Sequence, residues 1–132
     1  MKLSGACHCG QVSYHTNDAP VRMAQCHCNA CRRTTGTGHL VQAFFKNEDV
    51  HISGETTAHE SISDTGNIRT RRFCATCGSR LFSENSKLPG VTGIAVGTFD
   101  DSSWFKPEVV LYVSERPDWD CDDESIPSHD KM

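Results

Sequence analysis

The chain has 132 residues, 17 acidic against 13 basic side chains and a formal charge of -4 at pH 7. Phosphate backbones need a basic face, so this balance argues against nucleic acid as a partner. No apolar run reaches the roughly 18 residues of a membrane span, and 36% apolar content with a mean hydropathy of -0.48 points to a modest core in one domain, residues 1–132.

In chain order, the opening Met1-Lys2-Leu3-Ser4-Gly5-Ala6 has no apolar leader segment, so the expected location is the reducing cytoplasm. There cysteines read as metal ligands rather than disulfides. The first cluster is Cys7-His8-Cys9. Strand-like runs follow at 11–16 and 21–26, with the turn signal Asn17-Asp18 between them. The second cluster, Cys26-His27-Cys28-Asn29-Ala30-Cys31, leads into a short helical turn at 30–35. Arg32 and Arg33 directly follow it, and their guanidinium groups are candidates to hold a substrate carboxylate bidentately.

Further strands are expected at 40–45, 50–53, 58–63 and 68–73, punctuated by Ser53-Gly54 and Thr65-Gly66-Asn67. In the last of these, Arg69 and Arg71 share a face and Arg72 takes the other, which reads as a solvated edge. The third cluster, Cys74-Ala75-Thr76-Cys77, is followed by Gly78, the small residue that a metal knuckle favours. Strands at 80–83, 93–97 and 109–113 complete the pattern. The acidic end, 118–132, is expected to be a solvated, mobile tail, with a lid over the site as the sharper alternative.

Seven clustered thiols are too many for one tetrahedral ion. They suit a closed four-ligand site and a three-ligand site with an open position, the arrangement that separates catalytic from structural zinc. Cys7 and Cys9 are the expected partners of Cys74 and Cys77, leaving Cys26, Cys28 and Cys31. Spacing alone leaves open a mixed pairing of the trio with Cys7 or Cys9, and closure of the trio by the lone Cys121. Holding Cys9 to Cys74 closes a long loop, at roughly 4 kcal/mol. Zinc binding worth on the order of 10–16 kcal/mol overcomes that, so folding is expected to depend on metal.

In an extended C-x-C the middle side chain points away from the metal. His8 and His27 are therefore expected to face solvent or to be hydrogen-bonded, with an acid/base role for His27 as the alternative. Three thiolates make a poor Lewis acid. Their better use is to hold an incoming thiol, of which only about 3% is ionised at pH 7, as its thiolate. That nucleophile adds to a carbonyl, and the reverse step breaks a carbon–sulfur bond.

Gly5-Ala6-Cys7-His8-Cys9-Gly10-Gln11-Val12, Cys26-His27-Cys28-Asn29-Ala30-Cys31-Arg32-Arg33 with Gly36, Arg72-Phe73-Cys74-Ala75-Thr76-Cys77-Gly78-Ser79 with Leu81-Phe82, Gly97-Thr98-Phe99-Asp100-Asp101 and Pro117-Asp118-Trp119 occur in that order. The pattern resembles the glutathione-dependent formaldehyde-activating enzyme family, which includes centromere protein V, over about residues 3–119. The resemblance implies a mainly β, zinc-binding β-tent fold of short antiparallel sheets with little helix. It implies a structural zinc at Cys7, Cys9, Cys74 and Cys77 and a catalytic-type zinc at Cys26, Cys28 and Cys31. It also implies condensation of formaldehyde with glutathione, a carbon–sulfur lyase reaction, with a small thiol and an aldehyde as partners. Where the family often carries a histidine after the late proline, this chain has Val110. A non-catalytic zinc-stabilised binding module and a thiol or metal sensor are the competing readings.

Overall fold

A computed structural model describes residues 2–132. Within them the elements are β1 Leu3–Ala6, β2 Ser13–Thr16, β3 Arg22–Cys26, α1 Asn29–Thr35, β4 Leu40–Lys46, β5 Val50–Ser53, β6 Thr56–Ile62, β7 Ile68–Cys74, β8 Arg80–Asn85, β9 Val91–Ala95 and β10 Val109–Leu111. The fold is mainly β, as expected. β1 was not anticipated, because Leu3-Ser4-Gly5-Ala6 carries no β-branched residue. It forms because its backbone pairs with β2, Leu3 opposite Thr16 and Ala6 opposite Ser13.

A three-stranded antiparallel sheet has the order β1-β2-β5, and a seven-stranded sheet the order β10-β3-β4-β9-β8-β7-β6. The expectation of antiparallel sheets alone is corrected at one edge. β10 runs parallel to β3, with Val109 beside Ala24 and Leu111 beside Cys26. Such a pair needs a long crossover rather than a tight turn, and the chain between β3 and β10 supplies it.

Period-2 alternation decides what each face of the large sheet does. On β4, Ala43 and Phe45 are fully buried in the core with Ile94, Leu81, Val12 and Tyr14. Tyr14 meets Phe82 and Phe99 edge-to-face, ring centroids 5.4 and 5.2 Å apart, a favoured aromatic geometry. Gln42 and Phe44 point the other way, onto a surface they share with Ala24 and Cys26 of β3. Gly93 of β9 lies in that surface. A Cβ there would sit 2.6 Å from Gln42 Oε1 and 2.8 Å from Ser83 Oγ, so only glycine keeps the surface flat.

The acidic end is not a free tail. Ser128 forms a parallel bridge with Val110, Val110 N–H donates to Pro127 O at 2.8 Å, and His129 N–H returns to Val110 O at 2.8 Å. β10 leaves one edge of backbone groups unpaired, and this segment satisfies them. Among the described residues no helix is long and apolar enough to cross a membrane.

Candidate functional site

The first cysteine cluster joins the third. The sulfurs of Cys7, Cys9, Cys74 and Cys77 all lie within 4.8 Å of one another, with Cys7–Cys9 at 3.6 Å and Cys9–Cys74 at 3.8 Å. A tetrahedral ion with metal–sulfur bonds of about 2.3 Å needs sulfur–sulfur edges of about 3.8 Å, so this set fits one. Backbone N–H groups point at the sulfurs as they would at thiolates: Val12 to Cys7 at 3.3 Å, and Thr76 and Cys77 to Cys74 at 3.4 and 3.5 Å. The knuckle turns at Gly78, whose φ of 77° belongs to the left-handed region. Ser79 bonds to the Cys77 sulfur and pulls its pKa down to about 5. The fold thus gathers Cys7 and Cys9 with Cys74 and Cys77 rather than with the trio.

Cys26 ends β3, Cys28 caps α1 and Cys31 sits in its first turn. All three are buried, and their sulfurs form a second group within 4.8 Å. Cys31 N–H donates to Cys28 Sγ at 3.2 Å, so a ligand sulfur also satisfies a free donor at the helix start. Hydrogen bonds from Cys26 and Cys31, reinforced by the Cys31 N–H and the charge of Arg69, drive the Cys28 pKa far down. The bond to Cys28 pushes Cys26 far up. In Cys31 the hydrogen bond with Cys26 lowers the pKa, but the bond to Cys28 and burial outweigh it and raise the pKa to about 11. All eight cysteines are free, and among the described residues Cys121 is exposed and outside the sulfur group, so it does not close the trio.

Three arginines from β7 and β8 surround the trio. Arg71 is buried, its Nη1 donating to Ser61 Oγ at 2.8 Å and its Nε without a partner. Arg80 bonds to Thr34 of α1, and burial depresses its pKa, against the pull of Cys31. Arg69 lines both cavities described below. Among the described residues none of the three has a carboxylate partner, whereas Arg72, on the opposite face, pairs with Glu84 at 3.0 Å. The expected solvated edge is therefore corrected: the alternation was right, but the shared face of Arg69 and Arg71 turns inward. Arg32 and Arg33 lie in the last turn of α1. Arg32 reaches back to Asn29 at 3.4 Å, Arg33 is exposed, and neither lines a cavity beside the trio.

One cavity, about 190 Å³, has mostly polar lining residues and opens on Cys28, with Arg69, Arg71, Ser61, Ser63 and Tyr112 in its wall beside two carboxylates, Asp64 and Glu115. Tyr112 was missed in the sequence. It is buried against the trio, its hydroxyl donates to Asp64 at 2.7 Å, and burial raises its pKa, as does that bond. Its φ of 55° is strained for a residue with a side chain, and no pattern of types announces such a position. A second cavity, about 240 Å³, opens on Cys26.

His8 is exposed, but His27 is fully buried. Its Nδ1 lies 3.3 Å from Gly38 O and 3.2 Å from Asp120 Oδ2, and its Nε2 lies 3.2 Å from Gln25 Nε2. Asp120 also contacts His39 Nδ1 at 2.6 Å. That is a hydrogen-bond length, below the roughly 3.3 Å edge of a tetrahedral nitrogen and oxygen site, so His27, Asp120 and His39 form a hydrogen-bonded triad. Burial opposes ionisation of Asp120, but the bonds to His39 and the Cys121 N–H and the histidine charges outweigh it and lower its pKa. Val110 is fully buried and offers no ligand.

A family model described as glutathione-dependent formaldehyde-activating enzyme matches residues 2–115. The chain belongs to this family. A relative from Halomonas elongata, named "Putative glutathione-dependent formaldehyde-activating enzyme", is 29% identical over 125 residues, 90% of this chain and 80% of the relative. The fold is similar to that of a Rhodobacter sphaeroides protein of known crystal structure, with a TM-score of 0.59 at 22% identity, covering 79% of this chain and 91% of that one. Membership in the formaldehyde-activating family accords with two cysteine groups able to hold metal.

Proposed function

We propose that residues 1–132 form one domain acting as a zinc-dependent carbon–sulfur lyase, joining a glutathione-like thiol to an aldehyde or reversing that step. One zinc is structural, held by Cys7, Cys9, Cys74 and Cys77, and one is catalytic-type, held by Cys26, Cys28 and Cys31. The observation that carries the reading is that Arg69, Arg71 and Arg80 lie near the three-sulfur group and, among the described residues, none of them is ion-paired to a carboxylate. Arg71 is buried without an acid partner, a costly arrangement that an anionic ligand would relieve. Glutathione brings two carboxylates and a thiol.

When bound, zinc at the trio would supply an open position that keeps the substrate thiol ionised at neutral pH. Arg69 and Arg71 hold a substrate carboxylate in the polar cavity, a role that passes to them from Arg32 and Arg33. The thiolate sulfur forms a bond to the carbonyl carbon, the carbonyl π pair moves to oxygen, and solvent protonates that oxygen. Tyr112 lines the same cavity with its hydroxyl proton already given to Asp64. Thiolates in this number persist in a reducing compartment, which supports a cytoplasmic location.

The test is turnover of glutathione and aldehyde above the uncatalysed rate, with zinc counted per chain. Cys28→Ser should lose one zinc and the excess rate together. Equal rate and equal zinc in that variant would sink the reading.

A further inference from the structure

The larger cavity is chemically unlike the polar one. Its wall is mostly apolar, built from Val21, Ala24, Phe44, Leu88, Val91 and Leu111, with Arg22, Arg69, Glu84 and Asn85 also in the lining. Two of its polar side chains, Gln42 and Ser83 on the floor, bond to each other, the Ser83 hydroxyl donating to Gln42 Oε1 at 2.5 Å. Gly93 keeps that floor open, since a Cβ would press on both. At the mouth Val21 and Leu88 are 52% and 44% exposed, an apolar rim on an otherwise hydrophilic chain.

The position of the cavity matters as much as its lining. Cys26 of the trio borders it, and Arg69 borders both it and the polar cavity. A molecule whose sulfur sits at the trio therefore has an anion-binding wall on one side and a hydrocarbon wall on the other. An apolar cavity of roughly 150 Å³ takes up benzene. At about 240 Å³ this one has room for a larger group. Formaldehyde, with a single carbon, would leave it bare.

We propose that this cavity holds the hydrocarbon body of the carbonyl partner. The physical substrate class is then a medium-chain or aromatic aldehyde, and the product an S-(1-hydroxyalkyl) thiol. This rests on the thiol-plus-aldehyde reading above and specifies its second substrate. Carbon–sulfur bond formation, movement of the π pair to oxygen and protonation from solvent balance as they do for formaldehyde; only the group on the carbonyl carbon changes.

The experiment titrates zinc-loaded protein with S-methylglutathione and S-hexylglutathione by calorimetry, and with 1-hexanol by NMR. The hexyl ligand resembles the hexanal adduct without its hydroxyl. Each methylene it buries contributes, so it should bind at least about tenfold more tightly than the methyl ligand. Ala24→Leu and Val91→Phe, two separate ways of filling the cavity, should each abolish that difference. Hexanol should shift the signals of Phe44 and Leu111. Two glutathione ligands of equal affinity, or a hexyl advantage that survives both variants, would overturn the inference while leaving the thiol reading intact. Hexanol shifts at Phe44 and Leu111 without binding of either glutathione ligand would support an apolar subsite and overturn the thiol reading instead. Hexanethiol displacing S-hexylglutathione while hexanal does not would assign the hydrocarbon to the thiol partner and overturn the inference as stated.

Discussion

His27 Nδ1 lies 3.2 Å from Asp120 Oδ2, which ties the loop between two trio cysteines to the far end of the chain. The ring is fully buried and the carboxylate 11% exposed, so the contact is made away from water. The acidic end thereby becomes part of the frame that orients Cys26 and Cys28.

Asp120→Asn should destabilise the protein by about 1–3 kcal/mol, the usual penalty for weakening a buried charged hydrogen bond. Because the folded pKa of Asp120 is lowered, its contribution is complete above the unfolded value of about 3.9 and is lost as pH falls through the folded value. Denaturant titration of wild type and variant at neutral pH and at lower pH should show the two converging toward the acid side. Hydrogen exchange at Val110 and His129 should quicken in the variant.

Zinc binding to the trio should release protons at pH 7, since the bond to Cys28 and burial hold the Cys26 and Cys31 pKa values up and a metal needs them as thiolates. Affinity should therefore rise with pH across the neutral range. Calorimetry in buffers of different ionisation enthalpy counts the protons. A count near zero would mean the three thiols are ionised before metal arrives.

Arg71→Met should move stability and binding in opposite directions. Arg71 is buried, without an acid partner and with an unpaired Nε, so an apolar side chain of similar length should leave thermal stability unchanged or higher. The glutathione KM should rise about tenfold or more with loss of a charge-assisted contact. Arg71→Lys should recover only part of it, because the planar fork is gone.

Gly93→Ala should cost about 1–3 kcal/mol, the usual range for overpacking, as the new methyl meets Gln42 and Ser83. Thermal unfolding of the zinc-loaded form measures it.

Cys74→Ser should cost more stability than Cys28→Ser, because Cys74 belongs to the group that joins the two ends of a long loop while the trio is held within one short one. Chelator-induced unfolding should follow the same order.

The cysteine clusters were legible because metal ligation demands particular residue types at short spacing, and β4, β5 and β7 because alternation and turn residues bounded them. The direction in which Arg69 and Arg71 face was not legible. Alternation fixes which residues share a side, but whether that side meets solvent depends on β6, β8 and α1 packing around it. Asp120 and Asp122 read as solvated charges for a similar reason. Their partner, His27, is remote in sequence, and only the parallel pairing of residues 127–129 with Val110 brings the segment back. Tyr112 was silent because a single left-handed residue leaves no composition signal.

The two sulfur groups differ in how much chain they need. The trio is complete once residue 31 has left the ribosome, whereas the tetrad must wait for Cys77. A nascent chain in metal-rich surroundings thus meets its first ion while its later partners do not yet exist, which keeps Cys7 and Cys9 as the sole early competitors for it. Order of synthesis keeps Cys74 and Cys77 from the first ion, and leaves the mixed set with Cys7 or Cys9 as the wrong pairing a nascent chain must still avoid.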